Sequence, residues 1–81
     1  MITARQSRAA RALLGWSQET LADKAQVSLT ALKRLESASG LEVSETTRDQ
    51  VRRALEGHGI LLLTTDQGEG VMVVRGKIDK R

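Results

Sequence analysis

The stretch Trp16-Ser17-Gln18-Glu19-Thr20-Leu21-Ala22-Asp23-Lys24-Ala25-Gln26-Val27-Ser28-Leu29-Thr30-Ala31-Leu32-Lys33-Arg34-Leu35-Glu36 decides how this 81-residue chain is read. Ser17 stands where a helix N-cap is wanted, and Glu19 follows in the first turn, where an acid meets the positive end of the helix dipole. The spacing predicts a helix over Gln18–Ala25, with Leu21, Ala22 and Ala25 on its apolar side. Gln26-Val27 is a break. Ser28 is a second N-cap and opens a helix over Leu29–Ser37, with Leu32 and Leu35 inward and Ala31 only partly so. Two short capped helices joined by a tight break form a helix-turn-helix pattern.

On the N-terminal side, residues 3–14 are rich in Ala, Leu and Arg, which favour helix. Thr3 and Gln6 have capping-box spacing, and Gly15 stops the pattern. On the C-terminal side, Ser37-Ala38-Ser39-Gly40 is a loop by composition. Ser44 caps a longer helix over Glu45–Glu56, whose apolar side is Val51, Ala54 and Leu55, and Gly57 and Gly59 end it.

The pattern then changes period. Ile60-Leu61-Leu62-Leu63-Thr64 and Val71-Met72-Val73-Val74 are short apolar runs around Asp66-Gln67-Gly68-Glu69-Gly70, which reads as a β-hairpin with a Gly-containing loop. Neither run alternates polar with apolar, so both faces of the hairpin want burial. A helical layer in so short a chain covers one face, and the other face or the free edge needs a partner. Ile60, Leu61, Leu62, Leu63, Val71, Met72, Val73 and Val74 are therefore expected to form a dimerisation element. The competing reading is a monomer whose hairpin folds back fully on the helices.

Composition narrows the function. The chain has no Cys, no Pro, one Trp, one His and no Phe or Tyr. Without Cys there is neither a disulfide nor a thiolate metal site to support a small core, and a second subunit is the remaining common remedy. A lone His58 argues against a His-based metal or catalytic cluster, and no nucleophile–base pair is visible, so neither enzyme activity nor a cofactor or metal is expected. The scarcity of aromatics argues against stacking on unpaired bases. No apolar run approaches the roughly 20 residues of a membrane span, and Met1-Ile2-Thr3-Ala4-Arg5 is no signal peptide, so the expected localisation is cytoplasmic. The formal charge is +3, with the excess at the two ends: Arg5, Arg8 and Arg11 stand without an acid before Gly15, and Arg75, Lys77, Lys80 and Arg81 lie near the C-terminus. Such a surface suits a polyanion, although charge taken alone is better explained by a solvated helix face.

The pattern W-S-Q-E-x-L-A-x-x-A-x-V-S-x-x-x-L-x-x-L-E, with Arg8, Arg11 and Gly15 before it, resembles the Cro/CI-like phage-repressor family, also called XRE, over roughly residues 2–57. The resemblance implies a mainly α fold: a lambda-repressor-like helix-turn-helix bundle of about four helices, here followed by a C-terminal β-hairpin. With the hairpin read from its apolar runs and a polar C-terminal segment, the chain is expected to divide into a DNA-binding domain over residues 1–59, a hairpin over 60–75 and a disordered basic tail over 76–81. The resemblance also implies a sequence-specific regulator, a repressor, that binds an inverted repeat in double-stranded DNA as a homodimer.

By the same resemblance Ser17, Gln18 and Ser28 contact phosphate, and Leu29, Thr30, Lys33 and Arg34 face the major groove. Arg11 and Glu36 match a pair that forms an internal salt bridge in relatives. The chain departs from the family in two places: Gln26 replaces the usual Gly at the break, and Leu29 takes a position that is often polar. The alternative function is an antitoxin or mobile-element control protein that binds DNA and also a protein partner. A pure interaction module is a third reading.

Trp16 is expected in the core, and His58 at a helix end in a dipole role or simply exposed. Arg48, Arg52 and Arg53 are read either as contacts to the DNA backbone or as a solvated face with Asp49 and Glu56.

Overall fold

The computed structural model describes residues 2–37 and 42–74. Four helices, α1 (Ala4–Leu14), α2 (Gln18–Ala25), α3 (Leu29–Glu36) and α4 (Glu45–Gly57), precede strands β1 (Ile60–Thr65) and β2 (Gly68–Val73). The fold is mainly helical, with a two-stranded antiparallel hairpin after the fourth helix.

Each helix starts on the hydroxyl the sequence offers. Thr3 and Gln6 form a reciprocal capping box. Ser17, Ser28 and Ser44 each accept from the backbone N–H three residues on. Such caps satisfy orphan amides and are worth about 1 kcal/mol each. Gly15 ends α1 in the left-handed region at φ 72°. Gln26 ends α2 there too, at φ 58° and ψ 44°, and is the only non-glycine residue with positive φ among those described.

The core is one cluster. Ile2, Ala10, Leu21, Leu32, Leu35, Val51, Leu55 and Ile60 are buried together, so the first residue of the hairpin belongs to the helical core. Val51 and Leu55 of α4 meet the α2 and α3 leucines, and Ala54 packs partly buried beside them. Trp16 is half-buried against this core.

Several expectations change. Helix α3 ends at Glu36 rather than Ser37, whose backbone is extended. Helix α4 continues through Gly57, and His58 caps it. The hairpin loop is Asp66-Gln67 alone, because Gly68, Glu69 and Gly70 continue β2 opposite Thr65, Thr64 and Leu63. Glycine in this segment is strand and not loop: the partner β1 supplies the ladder, and the Thr65 hydroxyl accepts from Gln67 N–H to tie the turn. The expected loop at Ala38–Gly40 and the expected tail over 76–81 lie outside the described residues.

The hairpin's two faces separate. Ile60, Leu62, Val71 and Val73 turn toward the helices, while Leu61, Leu63, Met72 and Val74 face outward at 39–46% exposure. Assignment of all eight to a partner surface is therefore corrected: the first four are already occupied by this chain's own core. Period-2 alternation in the backbone makes this division even though every side chain in the runs is apolar.

Candidate nucleic-acid interface

Helices α2 and α3 pack on each other across the Gln26-Val27-Ser28 link. The left-handed Gln26 N–H returns to the Ala22 and Asp23 carbonyls, closing α2 before α3 departs. On α3, Thr30, Lys33 and Arg34 are exposed and lie at i, i+3 and i+4, which places them on one side of the helix. Leu29 is half-buried and packs against the core, so only part of it is open to solvent. The Ser17 and Ser28 hydroxyls are exposed, each accepting from its own helix.

The position of α3 is set from α1. The Glu36 side chain is buried, and Arg11 Nη2 approaches its Oε1 at 2.8 Å while Arg11 Nε approaches Oε2 at 3.0 Å. Ser7 donates to Oε2 at 2.6 Å, and Gln18 Nε2 donates to Oε1 at 3.0 Å. Burial by itself raises the Glu36 carboxyl, but the hydrogen bonds from Arg11, Ser7 and Gln18, with the Arg11 charge, outweigh it and hold the group below its ordinary value. Arg8 donates to the Glu36 carbonyl at the end of α3, and Arg11 Nη1 donates to the Trp16 carbonyl at 3.2 Å. One carboxylate thus joins α1, the start of α2 and the end of α3, and it fixes the direction of the Gln18 amide.

The remaining cations divide into held and free. Arg5 pairs with Glu69, Arg52 with Asp49 and Glu56, and Arg53 with Asp49. Arg48 donates to the Ile2 carbonyl at 2.9 Å. Arg52 and Arg53 therefore form the acid-paired face that the sequence offered as one of two readings, while Arg48 is tied to the N-terminal backbone. Lys24 lies 5.8 Å from the centre of the Trp16 ring. Among the described residues neither Lys33 nor Arg34 has an acid partner, and both are exposed. Net positive charge is thus left on α3.

Contacts of three residues were not legible in the sequence. Gln6 was legible as a cap, yet its Nε2 also donates to the Leu63 and Gly70 carbonyls at 3.0 and 3.1 Å. Its burial inside an Ala- and Leu-rich helix is the reason. Ser7, the other buried polar residue of that helix, supplies the Glu36 bond. His58 is not merely a helix end: its ring meets Trp16 edge-on at 4.8 Å and 74°, and its Nδ1 lies 2.8 Å from the Ala54 carbonyl. Among the described residues no group of three or more His, Cys, Asp or Glu side chains is placed to hold a metal. Among the described residues no helix is long and apolar enough to cross a membrane.

An exposed cationic second helix, positioned by a capped first helix across a tight turn, defines a helix-turn-helix DNA-binding protein. Residues 8–47 match the Helix-turn-helix family model, and the chain carries a domain of this Cro/CI-like, or XRE, family of DNA-binding transcription regulators. No curated protein and no solved structure matches the chain.

Proposed function

We propose that the chain is a repressor that binds an inverted-repeat operator as a homodimer and acts by occupying a promoter. Helix α3 enters the major groove, where base edges are distinguishable. Lys33 donates to guanine O6 or N7, Thr30 reads a base or touches a thymine methyl, and the open part of Leu29 meets a thymine methyl. Arg34 contacts guanine or phosphate. Ser17, Gln18 and Ser28, with the free amides of the α2 and α3 N-termini, face phosphate oxygens. In the dimer two α3 helices lie about 34 Å apart, one turn of DNA.

The observation that supports this reading is the charge on α3: Lys33 and Arg34 are exposed with no acid partner among the described residues, whereas Arg5, Arg11, Arg52 and Arg53 are paired with acids. Fragments selected from genomic DNA should yield a two-fold symmetric footprint with affinity on the order of 10⁻⁸–10⁻¹¹ M. Lys33→Ala and Thr30→Ala should weaken binding and change sequence preference. Unchanged affinity and preference in both variants would remove the reader assignment. A footprint of one half-site bound by a monomer would remove the homodimer.

A further inference from the structure

Gln6 and Ser7 are neighbours in α1, and both side chains are buried. Successive helical residues point about 100° apart, so the two leave the helix toward different partners. Gln6 Nε2 donates to the Leu63 and Gly70 carbonyls at 3.0 and 3.1 Å, and its Oε1 accepts from Thr3 N–H at 3.1 Å. Ser7 N–H donates to the Thr3 carbonyl at 3.0 Å, and the Ser7 hydroxyl donates to Glu36 Oε2 at 2.6 Å. Gln18 Nε2 donates to the other oxygen of that carboxylate at 3.0 Å. One run of hydrogen bonds therefore leads from both strands of the hairpin, through Gln6, Thr3, Ser7 and Glu36, to the start of α2.

The two strand bonds are additional to the hairpin's own. Val74 N–H donates to the Gly59 carbonyl, and antiparallel alternation then makes Leu63 and Gly70, which face each other across the hairpin, one of its hydrogen-bonded pairs. Their carbonyls have ladder partners without Gln6. What the Gln6 amide adds is a hold on the first turn of α1. That turn is weak by itself: it contains no acid, and Arg5 stands there against the positive end of the helix dipole. Arg5 is matched instead by Glu69 of β2, 2.9 Å away.

We propose that Gln6 is a positioning residue for DNA binding. It fixes the first turn of α1 on the hairpin, the fixed turn holds Ser7 on Glu36, and Glu36 keeps the Gln18 amide in place at the start of α2. The hairpin, which carries none of the residues assigned to DNA, thereby sets affinity from a distance. The inference rests on the reading of α2 and α3 above. A residue that only filled the core here would be apolar. Gln6 instead has its amide bonded at both ends, to the strands on one side and to the cap that carries Ser7 on the other. Buried networks of this kind act as a unit, and a double-mutant cycle apportions them.

The test is such a cycle on DNA affinity. The parent, Gln6→Ala, Ser7→Ala and the double variant are titrated against a duplex selected from genomic DNA and a random duplex of equal length. Temperatures are chosen where circular dichroism shows each chain folded. Gln6→Met, which keeps the volume of the site and supplies no hydrogen bond, is run beside Gln6→Ala so that lost packing is not read as lost positioning. Each single variant should lose roughly 3- to 30-fold in affinity for the selected duplex and little for the random one. The double variant should bind about as weakly as the weaker single variant. The slope of log affinity against log salt should keep its parent value, because no charge leaves the interface. Losses that multiply in the double variant, or equal losses on both duplexes, overturn this role. Gln6 variants that bind like the parent while Lys33→Ala is impaired overturn it and leave the reading of α3 standing. A Lys33→Ala chain that binds like the parent removes that reading and this role together.

Discussion

Arg11 and Glu36, 25 residues apart, are joined by a two-pronged ion pair with the Glu36 carboxylate at 4% exposure. This pair locks the end of α3 to α1, and Gln18 joins it from the start of α2. Removing the cation alone strands a buried charge. Arg11→Met is expected to cost about 3–5 kcal/mol, read as a lower urea midpoint. Glu36→Gln should cost less than Arg11→Met because its neutral amide still accepts from Ser7 or Gln18.

The same carboxylate makes stability depend on pH. Its value lies below the ordinary one in the fold, and the unfolded value is about 4.3. The contribution is therefore complete above the unfolded value and is lost as pH falls through the folded one. Urea midpoints measured from pH 7 downward should drop below about pH 4. The drop should be shallower in Glu36→Gln.

Gln26 holds a left-handed backbone that costs a side-chain-bearing residue roughly 1–2 kcal/mol. Glycine removes that cost but loses more chain entropy on folding. Gln26→Gly should raise stability by a net ~0.5–1 kcal/mol, seen as a higher melting temperature. A lower melting temperature would mean that the Gln26 side chain contributes a contact.

Charge pairing separates the arginines by salt response. Arg34→Ala should reduce the slope of log affinity against log salt by about 1, because a free cation is lost from a phosphate or base. Arg53→Ala should leave the slope nearly unchanged, since Arg53 already faces Asp49. Equal slopes for the two variants would undo this division.

Gln6 is the clamp between α1 and the hairpin. Gln6→Ala removes two bonds to strand carbonyls and half of the capping box, an expected loss of about 1–3 kcal/mol. Hydrogen exchange should show Ile60–Val73 amides losing protection before those of α2 and α3. Uniform loss across the chain would mean that the hairpin and helices open as one unit.

What the sequence determined by itself is local. Thr3, Ser17, Ser28 and Ser44 set four helix starts because a cap reaches only to the amide three residues on. Leu21, Leu32, Leu35, Val51 and Leu55 showed their buried side because helical period is written in the chain. Tertiary structure decided what period cannot encode. An all-apolar run does not say which face turns inward, and only packing on the helices separated Ile60 and Leu62 from Leu61 and Leu63. Gly68 and Gly70 read as loop by propensity and became strand because β1 lay opposite. Gln6 reaches carbonyls 57 and 64 residues away, and His58 reaches Trp16, through contacts that exist only after the chain has closed on itself.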